Sequence, residues 1–216
     1  MKTQKLVFSG MTLLLVFSSM FIVGCDEKTL SPTPAPADES EIPVNFTTYT
    51  SEGLFEISYP HGWAPATSLI GEIEEEMKEW IMNIDPEAEV EDSRMLFIAG
   101  LPDEEGYYPS VSISVATRSI GYYSLNEIVE SETLWNREYL QKYKVHKQTR
   151  TIVDGREAEI IIDEDYTPED GVWYYIDLYM VKDGFVWFVE CGCEAEDYNN
   201  YEDIFTSVVR SVRILN

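Results

Sequence analysis

Two Asp-Gly pairs constrain this chain more than any other feature. Asp154-Gly155 stands between alternating runs at 147–153 and 157–162, and Asp183-Gly184 stands between runs at 172–181 and 185–191. An Asp-Gly pair supplies the positive φ angles that a two-residue hairpin turn needs. Each pair therefore predicts two antiparallel strands whose register is fixed by the turn. Four strands in succession leave no room between them for the crossover helices of a parallel sheet.

The rest of the chain fits the same plan. Runs at 46–50 and 54–59 alternate in strand fashion around Ser51-Glu52-Gly53. Runs at 95–99 and 111–117 are joined by a loop containing Pro102-Asp103-Glu104-Glu105-Gly106. Between these pairs the period changes. Leu69, Ile73, Met77, Trp80, Ile81 and Ile84 recur at helical spacing over 68–84, Glu74 is placed to pair with Lys78, and Pro86 ends the helix. Ser124 and Glu127 form a capping box for a second helix with the stripe Leu125, Ile128, Val129, Trp135, Tyr139 and Tyr143. A third helix is expected over 198–209, with a short edge strand at 211–215. Strands in hairpins with three helices, rather than strict alternation, give an α+β fold with a largely antiparallel sheet flanked by helices. Trp80, Trp135 and Phe205 are assigned to its core.

The N-terminus carries an address. Lys2 and Lys5 precede an apolar run that closes on Phe21-Ile22-Val23-Gly24-Cys25. This is the anatomy of a secretory signal, and its end resembles the lipobox of bacterial lipoproteins, in which the cysteine is lipidated and becomes the first residue. Residues 1–24 are read as a lipoprotein signal peptide. Residues 25–44 are read as a disordered tether, because alternating prolines (Ser31-Pro32-Thr33-Pro34-Ala35-Pro36) favour extended chain and Asp38-Glu39-Ser40-Glu41 repels itself. Residues 45–216 form the folded domain, with no internal repeat. The expected location is extracytoplasmic, anchored to a membrane through Cys25. A formal charge of −25 repels phosphate backbones, which excludes nucleic acid as a partner.

Candidate chemistry is sparse. The two histidines, His61 and His146, are far apart in sequence. No serine sits in a nucleophile elbow, and there is no zinc-type helix motif or phosphate-binding loop. An enzyme is not expected, and neither is a cofactor. Cys191 and Cys193, two apart on a strand, point to one face and stand as buried thiols, as a local disulfide, or as a metal or redox pair. Asp163, Asp165, Glu169 and Asp170 offer hard oxygen ligands for calcium or manganese, although Pro168 breaks the EF-hand pattern, and a solvated hairpin loop is the simpler reading.

Phe55-Glu56-Ile57-Ser58-Tyr59-Pro60-His61-Gly62-Trp63 resembles the F-x-I-x-Y-P-x-G-W opening of PsbP-like domains. The aromatic hairpin over 173–189 and the segment Ile204-Phe205-Thr206-Ser207-Val208-Val209-Arg210-Ser211-Val212-Arg213-Ile214 agree with it. The resemblance spans 46–214, and the helix at 68–84 departs from it by replacing a shorter connection. It implies an α/β/α sandwich around an antiparallel sheet and a non-catalytic binding or assembly role. No ligand motif of the family is matched, so no metal site follows from it. The expectation is a lipid-anchored envelope module that binds a protein partner. The alternatives are a divalent-cation-binding surface lipoprotein and, last, a hydrolase.

Overall fold

The computed structural model describes residues 16–17, 43, 45–84, 89–90, 94–102, 109–119, 123–167 and 171–215. In chain order the strands are β1 (Val16–Phe17), β2 (Phe46–Ser51), β3 (Phe55–Pro60), β4 (Ala64–Pro65), β5 (Glu89–Val90), β6 (Arg94–Pro102) and β7 (Pro109–Ser119). They continue with β8 (Lys144–Val153), β9 (Arg156–Thr167), β10 (Gly171–Lys182), β11 (Phe185–Glu194) and β12 (Arg213–Ile214). The α-helices are α1 (Ile70–Ile84), α2 (Leu125–Tyr139) and α3 (Tyr198–Arg210).

Seven strands make the main sheet, in the order β4-β6-β7-β11-β10-β9-β8, with every pairing antiparallel. Both Asp-Gly turns form as expected. Asp154 and Gly155 have φ of 49° and 70°, and Asp183 and Gly184 have 52° and 79°. Val153 therefore faces Arg156, and Lys182 faces Phe185, across two-residue loops. A smaller antiparallel sheet, β12-β3-β2, is hydrogen-bonded separately from the main one, and among the described residues β1 pairs with β5. The return strand expected at 211–215 is β12, laid along β3.

Side chains alternate across the main sheet, so its two faces have different covers. On one face Ile176, Leu178 and Met180 of β10 and Val189, Cys191 and Cys193 of β11 meet α3 and the small sheet. There Phe55 and Phe97 are fully buried, and Tyr49 lies 4.4 Å from Phe97 between ring centroids. Trp63, from the Pro60-His61-Gly62-Trp63 turn, packs edge-on against Phe205 of α3. Trp187 completes this core.

The opposite face carries α1 and α2. Ile73, Met77 and Ile81 of α1 cover Ile98 of β6, and Leu125, Ile128 and Val129 of α2 cover Ile161, Tyr179 and Phe188. The capping box of Ser124 and Glu127 is present at the start of α2. Three local expectations change. Glu74 accepts a 2.8 Å hydrogen bond from the Met95 amide, and no ion pair of it with Lys78 is found among the described residues. Trp80 is only partly buried, edge-on to Trp135. The stripe of α2 stops at Tyr139, because Leu140 passes into extended backbone (φ −87°, ψ 138°), and Lys142, at a positive φ of 55°, turns the chain before Tyr143.

Candidate functional site

The strand expected to end at Ile162 runs on to Thr167. Asp163 and Asp165 are therefore not on a solvated loop. They keep the period-two alternation begun by Ile161 and point beneath α2, where they are 2% and 4% exposed. The neighbouring strands send further acids to the same face. Asp177 of β10 stands opposite Glu190 of β11, at 1% and 4% exposure. Glu132 enters from α2, also buried, and its Oε1 lies 2.7 Å from a nitrogen of the Arg118 guanidinium on β7.

Tyrosines hold the ends of this cluster. Tyr143 donates to Asp163 Oδ2 at 2.7 Å, and Tyr175 donates to Asp165 Oδ1 at 3.3 Å. Asp177 Oδ1 and the Trp173 indole nitrogen are buried without a hydrogen-bond partner among the described residues. Withdrawal from water pushes the carboxyls toward their neutral form. Burial raises Asp163 to about 7, with the Tyr143 hydrogen bond opposing it and Asp165 adding to it. Burial raises Asp165 to about 6 against the Tyr175 hydrogen bond. Asp177 and Glu190 are held well above the usual carboxylate range, first by burial and then by the surrounding acids. Tyr143 is raised by burial and by Asp163.

Gly192 belongs to this face and not to cysteine chemistry. It lies opposite Tyr175, and a Cβ there would come within 2.7 Å of the Tyr175 ring. The missing side chain is what lets that ring lie flat on β11 and reach Asp165. Cys191 and Cys193 point the other way, into the apolar core, as free and fully buried thiols. Burial raises Cys191 well above the ordinary thiol value and Cys193 to about 12.

A second feature borders the first. β8 ends the main sheet, and among the described residues no strand lies along its outer backbone. Residues 139–153 contain Lys142, Lys144, His146, Lys147 and Arg150 and no acid, in a chain with 40 acidic residues. Some of these cations are engaged locally. His146 Nε2 meets Glu164 at 2.8 Å and stacks on Tyr174, Lys144 lies 3.6 Å from the same Glu164, Arg150 pairs with Glu159 at 2.7 Å, and Lys142 sits 3.8 Å from the centre of the Tyr166 ring. Lys147 is exposed, and no ion pair of the described residues includes it. Between this edge and α2 lies an open groove of about 360 Å³, lined by Val129, Thr133, Leu134, Arg137, Gln148 and Glu159 among others. Leu134 is 44% exposed on its rim.

The remaining sequence candidates separate. His61 is near the small sheet, within hydrogen-bond distance of Thr47, and has no part in either feature. Cys25, Glu169 and Asp170 lie outside the described residues. Among the described residues no three His, Cys, Asp or Glu side chains are grouped to hold a metal ion, and no helix is long and apolar enough to cross a membrane. The sequence pattern does not announce the acid cluster, although one turn encodes part of it. A two-residue loop at Asp183-Gly184 sets Asp177 opposite Glu190, and two acids facing each other inside apolar runs are a readable anomaly. Arg118 and Glu132 left no such trace, since they meet only through the packing of α2.

No family model matches the sequence, and no curated protein is significantly similar to it. Solved structures do resemble it. The solution structure of the cyanobacterial PsbP protein (CyanoP) of Synechocystis aligns with a TM-score of 0.51 at 11% identity, covering 83% of this chain and 98% of that one. A protein of unknown function from Pseudomonas aeruginosa aligns at 0.47 and 13% identity, covering 77% and 95%. LpqN, involved in cell envelope biogenesis of Mycobacterium tuberculosis, aligns at 0.44 and 10% identity, covering 58% and 79%. The alignment with the cyanobacterial protein establishes a PsbP-like fold, as the motif over 55–63 implied, and establishes the fold alone.

Proposed function

We propose that this chain is a lipid-anchored extracytoplasmic binding module without catalytic function, tethered through Cys25 and docking a protein partner along β8. The apolar leader closing on Gly24-Cys25 supports the anchor, and the Pro-rich acidic segment after it suits a spacer. The observation that carries the docking reading is the open edge of β8, cationic in a chain of net charge −25 and flanked by a groove. An open strand edge offers main-chain hydrogen bonds to an added strand, and the groove offers a place for alternate side chains. Edge lysines also guard against self-association, because antiparallel pairing of two β8 edges would oppose like charges. The occupant that satisfies the exposed cations is therefore an extended, acid-bearing segment of another protein.

The test uses the lipidated protein in its own membrane, with a photo-crosslinking residue at Lys147 or Gln148 and, as control, at exposed Asn199 of α3. An adduct from the edge positions is expected, with an acidic peptide of the partner attached at the crosslinked residue. Adducts from Asn199 alone, or edge adducts on basic or uncharged segments, overturn the edge as the docking face. A Cys25→Ala chain that stays in the membrane fraction overturns the anchor.

A further inference from the structure

We propose that the space between α2 and the main sheet is a proton-binding site, filled in the folded state, and that its emptying as the pH rises loosens α2. The geometry is a matter of charge count. Asp163, Asp165, Asp177 and Glu190 are all buried on one face, and none of them has an ion-pair partner among the described residues. The cations that reach this face are engaged with other acids: Arg118 with Glu132, and Arg150 with Glu159 and, at 3.6 Å, Glu157. Four adjacent carboxylates withdrawn from water and unpaired cannot all be ionised.

The groups facing the cluster come from every element packed on it. They are Arg118 on β7, Arg150 on β8, Glu159 on β9, Tyr175 and Tyr179 on β10, Glu132 on α2 and Tyr143 after it. One feature points to a bound proton independently of the count, and a second accords with it. Asp177 Oδ1 is a buried acceptor without a donor among the described residues, with Asp163, Glu190, Asp165 and Glu132 as its electrostatic neighbours. A proton on one carboxyl would give a neighbouring one the donor it lacks. The Trp173 indole nitrogen, 95% buried in a ring stacked on Tyr175, is likewise unpartnered among the described residues, so no hydrogen bond from it compensates a charge there.

The direction of the pH effect follows. A carboxyl held above its unfolded value, about 4 for Asp, contributes its full stability below that value. It loses the contribution as the pH rises through the folded value. Here the loss begins above pH of about 4, passes through about 6 at Asp165 and about 7 at Asp163, and extends higher for Asp177 and Glu190. What ionises first is the floor beneath α2, and α2 is the helix that lines the groove along β8. Only that last consequence, a docking face altered by pH, rests on the binding reading.

Net charge alone would also make an acidic protein less stable at high pH, so the experiment must separate the two. Melting of the intact domain is followed from pH 5 to pH 8 in low and high salt. The expected fall in Tm is about 10 °C, and it should persist in high salt because buried charges are poorly screened. Asp163→Asn and Asp177→Asn should flatten the profile, whereas exposed Glu75→Gln and Glu138→Gln should not. Amide exchange, corrected for its intrinsic pH dependence, should quicken in α2 and leave α3 unchanged. The wild-type protein gives a readout independent of any variant: infrared bands of protonated carboxyls should persist at pH 6. Their absence, or a Tm slope equal in Asp163→Asn, Asp177→Asn and wild type, overturns the proposal. A failure to dock any partner leaves these outcomes untouched.

Discussion

The two faces of the main sheet are made by the same strands, and often by adjacent residues. Ile176 and Leu178 point into a dry aromatic core, while Asp177 between them points into a cluster of acids. Burial is equally complete on both sides, yet its meaning differs. On the dry face each buried side chain contributes transfer free energy and close packing. On the acid face the same burial imposes a cost, offset by the Arg118–Glu132 pair, two tyrosine hydroxyls and retained protons. Stability should therefore come mainly from one face and environmental sensitivity from the other.

The largest effect should come from cutting the dry core. Phe97→Ala removes a fully buried ring that meets Tyr49, Phe55 and Tyr59, and it should cost about 4 kcal/mol. Denaturant melting should show a lower midpoint with an unchanged slope, and the loss should be the same at pH 5 and pH 8. A loss that varied with pH would mean that the faces are coupled.

Next comes the ion pair of the acid face. Arg118→Met removes the cation that faces buried Glu132 and should cost roughly 3 kcal/mol near neutral pH. The pair itself has no such worth, since replacing both partners can be neutral. Arg118→Met with Glu132→Leu should recover most of the loss, and failure to recover it would show that Arg118 also restrains the other acids. Gly192→Ala should follow at about 2 kcal/mol, through overpacking against the Tyr175 ring. That substitution is small and apolar, so an effect near zero would show that the ring can move away from β11. Shortening the ring with Tyr175→Val in the same chain should relieve the clash.

Much of the dry face was legible in the sequence and little of the acid face was. The hairpins, the capping box and the aromatic turn at Trp63 are local signals, written in a few consecutive residues. Sequence pattern alone sets Asp163 and Asp165 on a solvated loop, because ionisable side chains usually mark the end of a buried strand. Their spacing continued the alternation, but only the pairing with Tyr175 and the cover of α2 show why they remain inside. Arg118 and Glu132 are bonded through tertiary packing alone, so no window of sequence contains both sides of the contact.

The thiols give the finest test of how separate the faces are. Cys191 and Cys193 sit in the dry core with no exposed surface, and burial keeps both protonated at neutral pH. Cys191→Ala should cost only about 1 kcal/mol, the scale of removing a methyl-sized group. Their labelling by a thiol reagent should wait for opening of the dry core, whereas amide exchange in α2 should report the acid face. Raising the pH from 6 to 8 should quicken exchange in α2 more than labelling, after each is corrected for its own chemical dependence on pH. Asp177 and Glu190 are felt at Cys191 through the thickness of the sheet, and both work to keep it a thiol. Their ionisation should thus slow thiolate formation even as α2 loosens. Labelling that accelerates in step with α2 exchange would mean that the acid cluster opens the whole domain, and that the two faces share one cooperative transition.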